Sequence, residues 1–326
     1  MAKPSKYQKI LSQIYKNVYS KKWICFDPSC NENSINSHLL QQNGMLNEIS
    51  ENGHFIEVKM TDVFKWAPKQ TPLEFKLVGI SKAISQPLFC NKHDTSLFKE
   101  IESKNIDFKN YRSQLLFSYR TICSELRKKQ LNIEVYERLL NSQTLYGEFN
   151  RDMANQFVEG TKLGVKDLEL YKAWFEAELK DEKGGFKFST LEYPQIKVYG
   201  SAIHSPVDYA NDNPNQVDPL NSIFIHIIPY NLRLNVIVGY HKKYTNSWIK
   251  EYVNSWMDLD KETLEYKLND LFMTKIESWG MSPKLYKNIP LSTKNDIMTY
   301  INDNAMNYSI DQKVNFNIFL GNNYGI

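Results

Sequence analysis

The sequence has no apolar run approaching the 18 or more residues that a membrane-spanning helix requires, so no membrane contact is expected. Its opening residues lack the hydrophobic region of a secretory leader, which makes a cytoplasmic location the expectation. Glycine (13) and proline (12) are scarce in 326 residues, which argues against extended disorder. Four cysteines are too few for a disulfide scaffold; clustered with histidine, they fit metal binding in a reducing compartment. There is no glycine-rich phosphate loop, no Gly-x-Ser-x-Gly elbow and no redox Cys-x2-Cys. Nucleotide-driven motors, serine hydrolases and thioredoxin-like enzymes therefore lack their signatures.

Apolar residues make up 42% of the chain and charged residues 24%, with 20 Tyr and 17 Phe, enough for a sizeable core and two domains. A net charge of +3 is too small to announce a nucleic-acid binder, but its distribution is uneven. Residues 1–22 carry Lys3, Lys6, Lys9, Lys16, Lys21 and Lys22 and no acidic residue. With Tyr7, Tyr15 and Tyr19 interleaved, such a segment can track phosphates and stack on bases. Equally, Ile10, Leu11, Ile14, Tyr15 and Val18 follow helical spacing, which reads as a solvated amphipathic helix.

Residues 23–93 read as short strands and loops. Alternation over Phe55–Val58 and Leu73–Val78 marks strands, and Asn43-Gly44 and Asn52-Gly53 mark turns, with His54 beside the second. Within this region stand Cys25-Phe-Asp-Pro-Ser-Cys30 and Cys90-Asn-Lys-His93. Each half is a short turn that can aim two soft ligands at one point, and tetrahedral Zn²⁺ takes four such ligands. Cys25, Cys30, Cys90 and His93 are therefore the expected metal ligands, although closing the loop between the halves carries an entropic cost. From Asp94 the pattern becomes helical, and Leu97, Phe98, Ile101 and Glu102 start a helix just past the second pair. Asp94 reads as the N-cap of a helix beginning at Thr95.

Phe108, Tyr111, Leu115, Tyr119, Ile122 and Leu126 step by three and four and give one apolar stripe, with Cys123 beside it as a buried core residue. Helices continue over 131–147 and about 150–182, ending at Lys183-Gly184-Gly185. Strands are expected at Ile196–Tyr199, Ser222–Ile228 and Leu232–Val238, the last two forming a hairpin through Pro229-Tyr230-Asn231. Helices follow at about 244–257 and 260–279, and Ser282-Pro283 starts a short one. His204, His226 and His241 match no metal spacing and read as structural, with His226 on the face of its strand shared by Phe224 and Ile228. Asp208, Asp212 and Asp218 lie in a proline-rich loop that can gather a cation or simply be solvated. The expected fold class is α+β: an N-terminal treble-clef zinc module (1–106), a helical middle (107–184) and a C-terminal antiparallel sheet with helices (185–326).

Several segments together carry a resemblance. They are Cys25-x4-Cys30, Ser34-Ile-Asn-Ser-His38, Gly79-Ile-Ser-Lys-Ala83, Phe89 through Phe98, and the helix from Tyr119-Arg120 to Glu125-Leu126. Over roughly residues 23–130 the chain resembles a group of uncharacterised bacterial proteins with a treble-clef zinc module, associated with phage-defence gene neighbourhoods. The Ser37-His38 step after the first cysteine pair also resembles HNH-type nucleases. That resemblance implies His38 as general base and Asp94 as ligand to a catalytic Mg²⁺ or Mn²⁺, with zinc bracing the site. The chain departs from the nuclease pattern where Ser37 replaces the usual acid or histidine, where Asp94 stands in place of a metal-binding histidine, and where Ser85 stands in place of an asparagine. The other reading of His38 is a core histidine, or a substitute for His93 as fourth ligand. Two functions follow: a nucleic-acid-acting protein, in its sharper form an HNH-like nuclease, or a non-enzymatic zinc-stabilised module that docks a protein partner.

Overall fold

The computed structural model describes residues 5–65, 72–207, 218–304, 307, 309–310 and 312–319. In chain order the elements are α1 (Lys6–Tyr19), β1 (Asn36–His38), β2 (His54–Met60), β3 (Leu73–Gly79), β4 (Ser85–Pro87), α2 (Asn91–Leu97), α3 (Tyr111–Leu140) and α4 (Arg151–Lys180). There follow β5 (Phe186–Pro194), β6 (Val198–His204), β7 (Ile223–Tyr230), β8 (Arg233–His241), α5 (Ser247–Asn254), α6 (Lys261–Thr274), β9 (Trp279–Met281), α7 (Pro283–Asn288) and α8 (Leu291–Asp303). The fold is mixed α/β, and every paired strand runs antiparallel. No helix among the described residues is long and apolar enough to cross a membrane.

Seven strands form one sheet in the order β3-β2-β9-β6-β7-β8-β5, and β1 pairs with β4 in a separate two-stranded sheet. Strand β7 is buried along its whole length, as a central strand covered on both faces must be. Its Phe224 and Ile228 join the core formed with α3 and the N-terminal region. Ile223, Ile225 and Ile227 join a second core formed with α5, α6 and α8. The period-2 alternation of a strand thus divides one sequence between two hydrophobic layers. His226 lies on the α3 side, as its alternation predicts. Its Nε2 meets the Ser118 hydroxyl at 3.1 Å and its Nδ1 meets the Ser201 hydroxyl at 2.8 Å.

The sheet runs across the expected boundary at Gly184. Strand β2 pairs with β9 at Ile56↔Met281 and Glu57↔Gly280, so residues from the first hundred are hydrogen-bonded into the C-terminal sheet. Buried Glu57 tightens this seam, its Oε1 accepting from the Tyr199 hydroxyl at 2.6 Å and the Ile84 amide at 3.1 Å. Periodicity cannot show such a pairing, because partner choice between distant strands leaves no local mark.

Other differences are local. The helix expected to reach residue 279 stops at Thr274, and Trp279–Met281 becomes β9. Residues 186–194 form strand β5, ahead of the first strand expected after Gly184. The β7–β8 turn falls on Asn231 and Leu232, at φ 51° and 58°, rather than on Pro229-Tyr230-Asn231. Short helix α7 starts as expected, with the Ser282 side chain accepting from the Leu285 amide and Pro283 in the first turn. Of the aspartates in the proline-rich loop, Asp208 and Asp212 lie outside the described residues.

Candidate metal centre

Cys25 follows the bridge between Ile24 and Asn33, which closes a tight loop around the first ligand pair. Inside it the Cys25 amide donates to the Glu32 carbonyl (2.9 Å) and the Cys30 amide to the Asp27 carbonyl (3.0 Å), turning both thiols the same way. The second pair sits at a helix start. Cys90 occupies the N-cap position of α2, and His93 lies in its first turn. Helix α2 therefore begins at Asn91, not Thr95, and Asp94 lies inside the first turn rather than at the cap. The helix expected over Leu97, Phe98, Ile101 and Glu102 is not formed as an α-helix: α2 ends at Leu97, and a 3-10 turn at Lys99–Glu102 follows Phe98.

The distant halves are brought together by backbone pairing. Asn36↔Pro87 and His38↔Ser85 are register partners of β1 and β4, and the Phe26 amide donates to the Leu88 carbonyl at 2.9 Å. Fully buried Ser37 accepts from the Phe89 amide at 3.4 Å, beside Cys90. This sewing supplies the loop closure that the long spacing demands.

The outcome is a cluster of Cys25, Cys30, Cys90 and His93 whose ligand atoms all lie within 4.8 Å of one another. Cys30 Sγ is 3.8 Å from Cys90 Sγ, and His93 Nδ1 is 3.6 Å from Cys25 Sγ and 3.3 Å from Cys90 Sγ. A tetrahedral zinc with ordinary Zn–S and Zn–N bonds sets edges of about 3.8 Å between sulfurs and about 3.6 Å between sulfur and nitrogen. The separations match, so the donor set fits the ion. Three soft sulfurs and an imidazole favour zinc over hard cations such as Mg²⁺.

Surrounding groups suit the same purpose. His93 Nε2 faces Asp27 Oδ2 at 3.7 Å, an orientation that leaves Nδ1 for the metal. Burial raises the Asp27 carboxyl, but bonds from the Ser29 hydroxyl and amide outweigh it and hold the group below the usual range. The His93 backbone amide favours the Cys90 thiolate, yet burial, Glu32 and the neighbouring sulfurs push the thiol up to about 11. A bound dication reverses that balance by stabilising the thiolate directly.

Helix α3 holds the cluster through two arginines seven residues apart, hence on one helix face. Arg127 donates from Nη2 to the Ile24 carbonyl and from Nε to the Pro87 carbonyl, each at 2.8 Å. Its guanidinium lies 4.5 Å from the Trp23 ring and 4.3 Å from the Phe26 ring. Fully buried Arg120 lies 3.8 Å over Phe98, 2.6 Å from Glu102 Oε1 and 3.7 Å from Asp94 Oδ1. Neither arginine role is visible in a sequence without the tertiary contact; their common helical face is the one trace they leave.

His38 is half-buried on β1, and its Nε2 lies 3.1 Å from the Ile80 carbonyl. Asp94 faces Arg120. Among the described residues no hydrogen bond or ion pair joins His38 to Asp94, and the only cluster of metal-ligand type is the Cys3His set. His204 and His226 are buried and His241 packs against Trp174 at 4.8 Å between centroids, so these three occupy separate packed positions. Cys123 is fully buried, and burial pushes its thiol up to about 12, as befits a core residue.

No protein-family model matches the chain, and neither the curated proteins nor the solved structures compared with it offer a match.

Proposed function

We propose that this chain is a zinc-stabilised nucleic-acid-binding protein, in which Cys25, Cys30, Cys90 and His93 hold one structural Zn²⁺ in a treble-clef arrangement. The observation that carries the zinc is the convergence of four soft protein ligands within 4.8 Å, and the nucleic-acid reading draws on the basic segment with interleaved tyrosines at the front of the chain. Four such ligands saturate a tetrahedral ion, whereas catalytic zinc keeps a position open for water. The ion then contributes folding free energy to the front of the chain rather than chemistry.

The sharper reading, an HNH-like nuclease, finds support in His38 alone. A proton on Nε2 directed at the Ile80 carbonyl leaves Nδ1 as an acceptor on a half-exposed side chain, as a general base requires. Asp94 serves it poorly, because its carboxylate already faces the Arg120 cation. Binding without cleavage is the favoured reading.

Labelled single-stranded and duplex DNA and RNA, incubated with the zinc-loaded protein and Mg²⁺ or Mn²⁺, test both. Retention of intact probe supports binding. Cleavage that disappears in a folded His38→Ala variant would replace binding with hydrolysis, and absence of both binding and cleavage leaves the protein-docking module as the surviving reading.

A further inference from the structure

Helix α1 presents a solvent face of one sign. Its N-terminus is fixed by Ser5, whose hydroxyl accepts from the Gln8 amide while Gln8 reaches back to the Ser5 amide. Leu11, Ile14 and Val18 are buried against Leu131, Val135 and Leu139 of α3. Opposite that stripe, Lys6, Lys9, Gln13, Lys16 and Ser20 recur at steps of three and four and are all exposed. The lysine row from Lys6 to Lys16 is about 15 Å long at the helical rise. Lys21 and Lys22 continue it past the helix end. Lys21 is bound to Glu134 at 2.6 Å, but among the described residues no carboxylate lies within ion-pair distance of Lys6, Lys9, Lys16 or Lys22.

The stripe leads towards a groove of about 360 Å³ beside the metal cluster, walled by Lys22, Trp23, Phe26 and Arg127. Ile24, 49% exposed, lines the same groove, and Tyr19 at the end of α1 is 58% exposed. Unpaired cations in a row beside exposed aromatic and apolar side chains suit a polyanion that also carries flat apolar faces. A bilayer suits them less, because the apolar face of α1 is already committed to α3 and cannot enter lipid.

We propose that the lysine face of α1, with Lys6, Lys9, Lys16 and Lys22 as phosphate contacts, is the surface on which a nucleic-acid backbone binds, leading its strand towards the Trp23 groove. This assignment rests on the nucleic-acid reading above. Each lysine contributes charge neutralisation without reading sequence, so binding is salt-dependent and largely indifferent to base identity.

The test is fluorescence anisotropy with 20-nucleotide DNA and RNA, single-stranded and duplex, titrated at several salt concentrations. Zinc-loaded wild type is compared with K6E/K9E/K16E and with K250E/K284E/K287E, which makes the same charge change at exposed lysines of α5 and α7. The expected result is at least tenfold weaker binding in the α1 variant, a salt slope smaller by about 2, and little change in the control. Circular dichroism and zinc content check the fold; should charge reversal disturb it, K16Q/K22Q is expected to weaken binding by a smaller factor. If wild type binds and the α1 variants bind equally well, the stripe is overturned while the nucleic-acid reading stands. If wild type binds no probe, or binds only vesicles of anionic phospholipid, both fall together.

Discussion

Arg127 Nη2 donates to the carbonyl of Ile24 at 2.8 Å, joining residues 103 positions apart in the chain. Because Nε of the same guanidinium holds Pro87, one planar cation spans the approaches to both halves of the metal cluster. The fixed fork of guanidinium donors permits this; a lysine ammonium at the end of a flexible stem does not reproduce it.

Replacing Arg127 with methionine keeps much of its bulk but leaves two carbonyls without donors. A loss of about 2–4 kcal/mol is expected, read from the urea midpoint of zinc-loaded protein. Arg127→Lys recovers less than half of it. An unchanged midpoint in the methionine variant would mean that the clamp contributes nothing to stability.

Chelation probes the metal directly. Purified protein is expected to contain one zinc per chain by elemental analysis. Removing the ion raises amide exchange over residues 23–98 far more than over β7 and β8, because the metal's binding energy is expressed as local folding energy. Cys90→Ser loses the zinc, whereas Cys123→Ala keeps it. Protein that holds no zinc, or whose exchange is indifferent to chelation, refutes the structural site.

The buried histidines set an acid limit on stability. Burial lowers His226 to about 3, and burial followed by the Lys275 charge lowers His204 to about 3. An unfolded histidine titrates near 6.5. Between those values the unfolded chain carries protons that the native chain refuses, so stability rises with pH and falls as pH drops below about 6.5. Each group contributes a slope of up to about 1.4 kcal/mol per pH unit. The difference in urea stability between wild type and His226→Gln, followed from pH 7.5 to 5, isolates one group from the acid-sensitive metal ligands. Parallel curves for the two proteins would show that His226 titrates normally.

Leu232 occupies a positive φ of 58° in the β7–β8 turn and is 77% exposed. The pair Asn231-Leu232 forms the two-residue type of hairpin connection that favours glycine at its second position. Leu232→Gly is expected to stabilise the protein by about 0.5–1 kcal/mol through release of that strain. Glu48 supports the same turn, its carboxylate accepting from the Asn231 amide at 2.7 Å and the Leu232 amide at 3.3 Å. Glu48→Ala should therefore lower the thermal midpoint, and a midpoint that stays put would show the turn needs no such support.

Local spacing made much of the molecule legible. The apolar repeat of α1 and the alternation of β7 follow from helical and extended periodicity, and the structure gives those elements. The stripe from Phe108 to Leu126 gives a helix too, but α3 starts at Tyr111, past Phe108, and is buried on every face from Ser113 to Ser124. The convergence of Cys25, Cys30, Cys90 and His93 was legible for a related reason, since two short Cys/His turns present few chemical uses other than a shared ion. Tertiary structure alone decided the rest. Strand β9 has three residues, too few for a periodic signal, yet it hydrogen-bonds the N-terminal hairpin to the C-terminal sheet. In sequence Asp94 reads as a helix cap or, through the nuclease resemblance, as a metal ligand; that it faces the Arg120 cation, folded against it from another helix, only the tertiary structure decided. Periodicity records which face of an element turns inward; it holds no record of what waits on the other side.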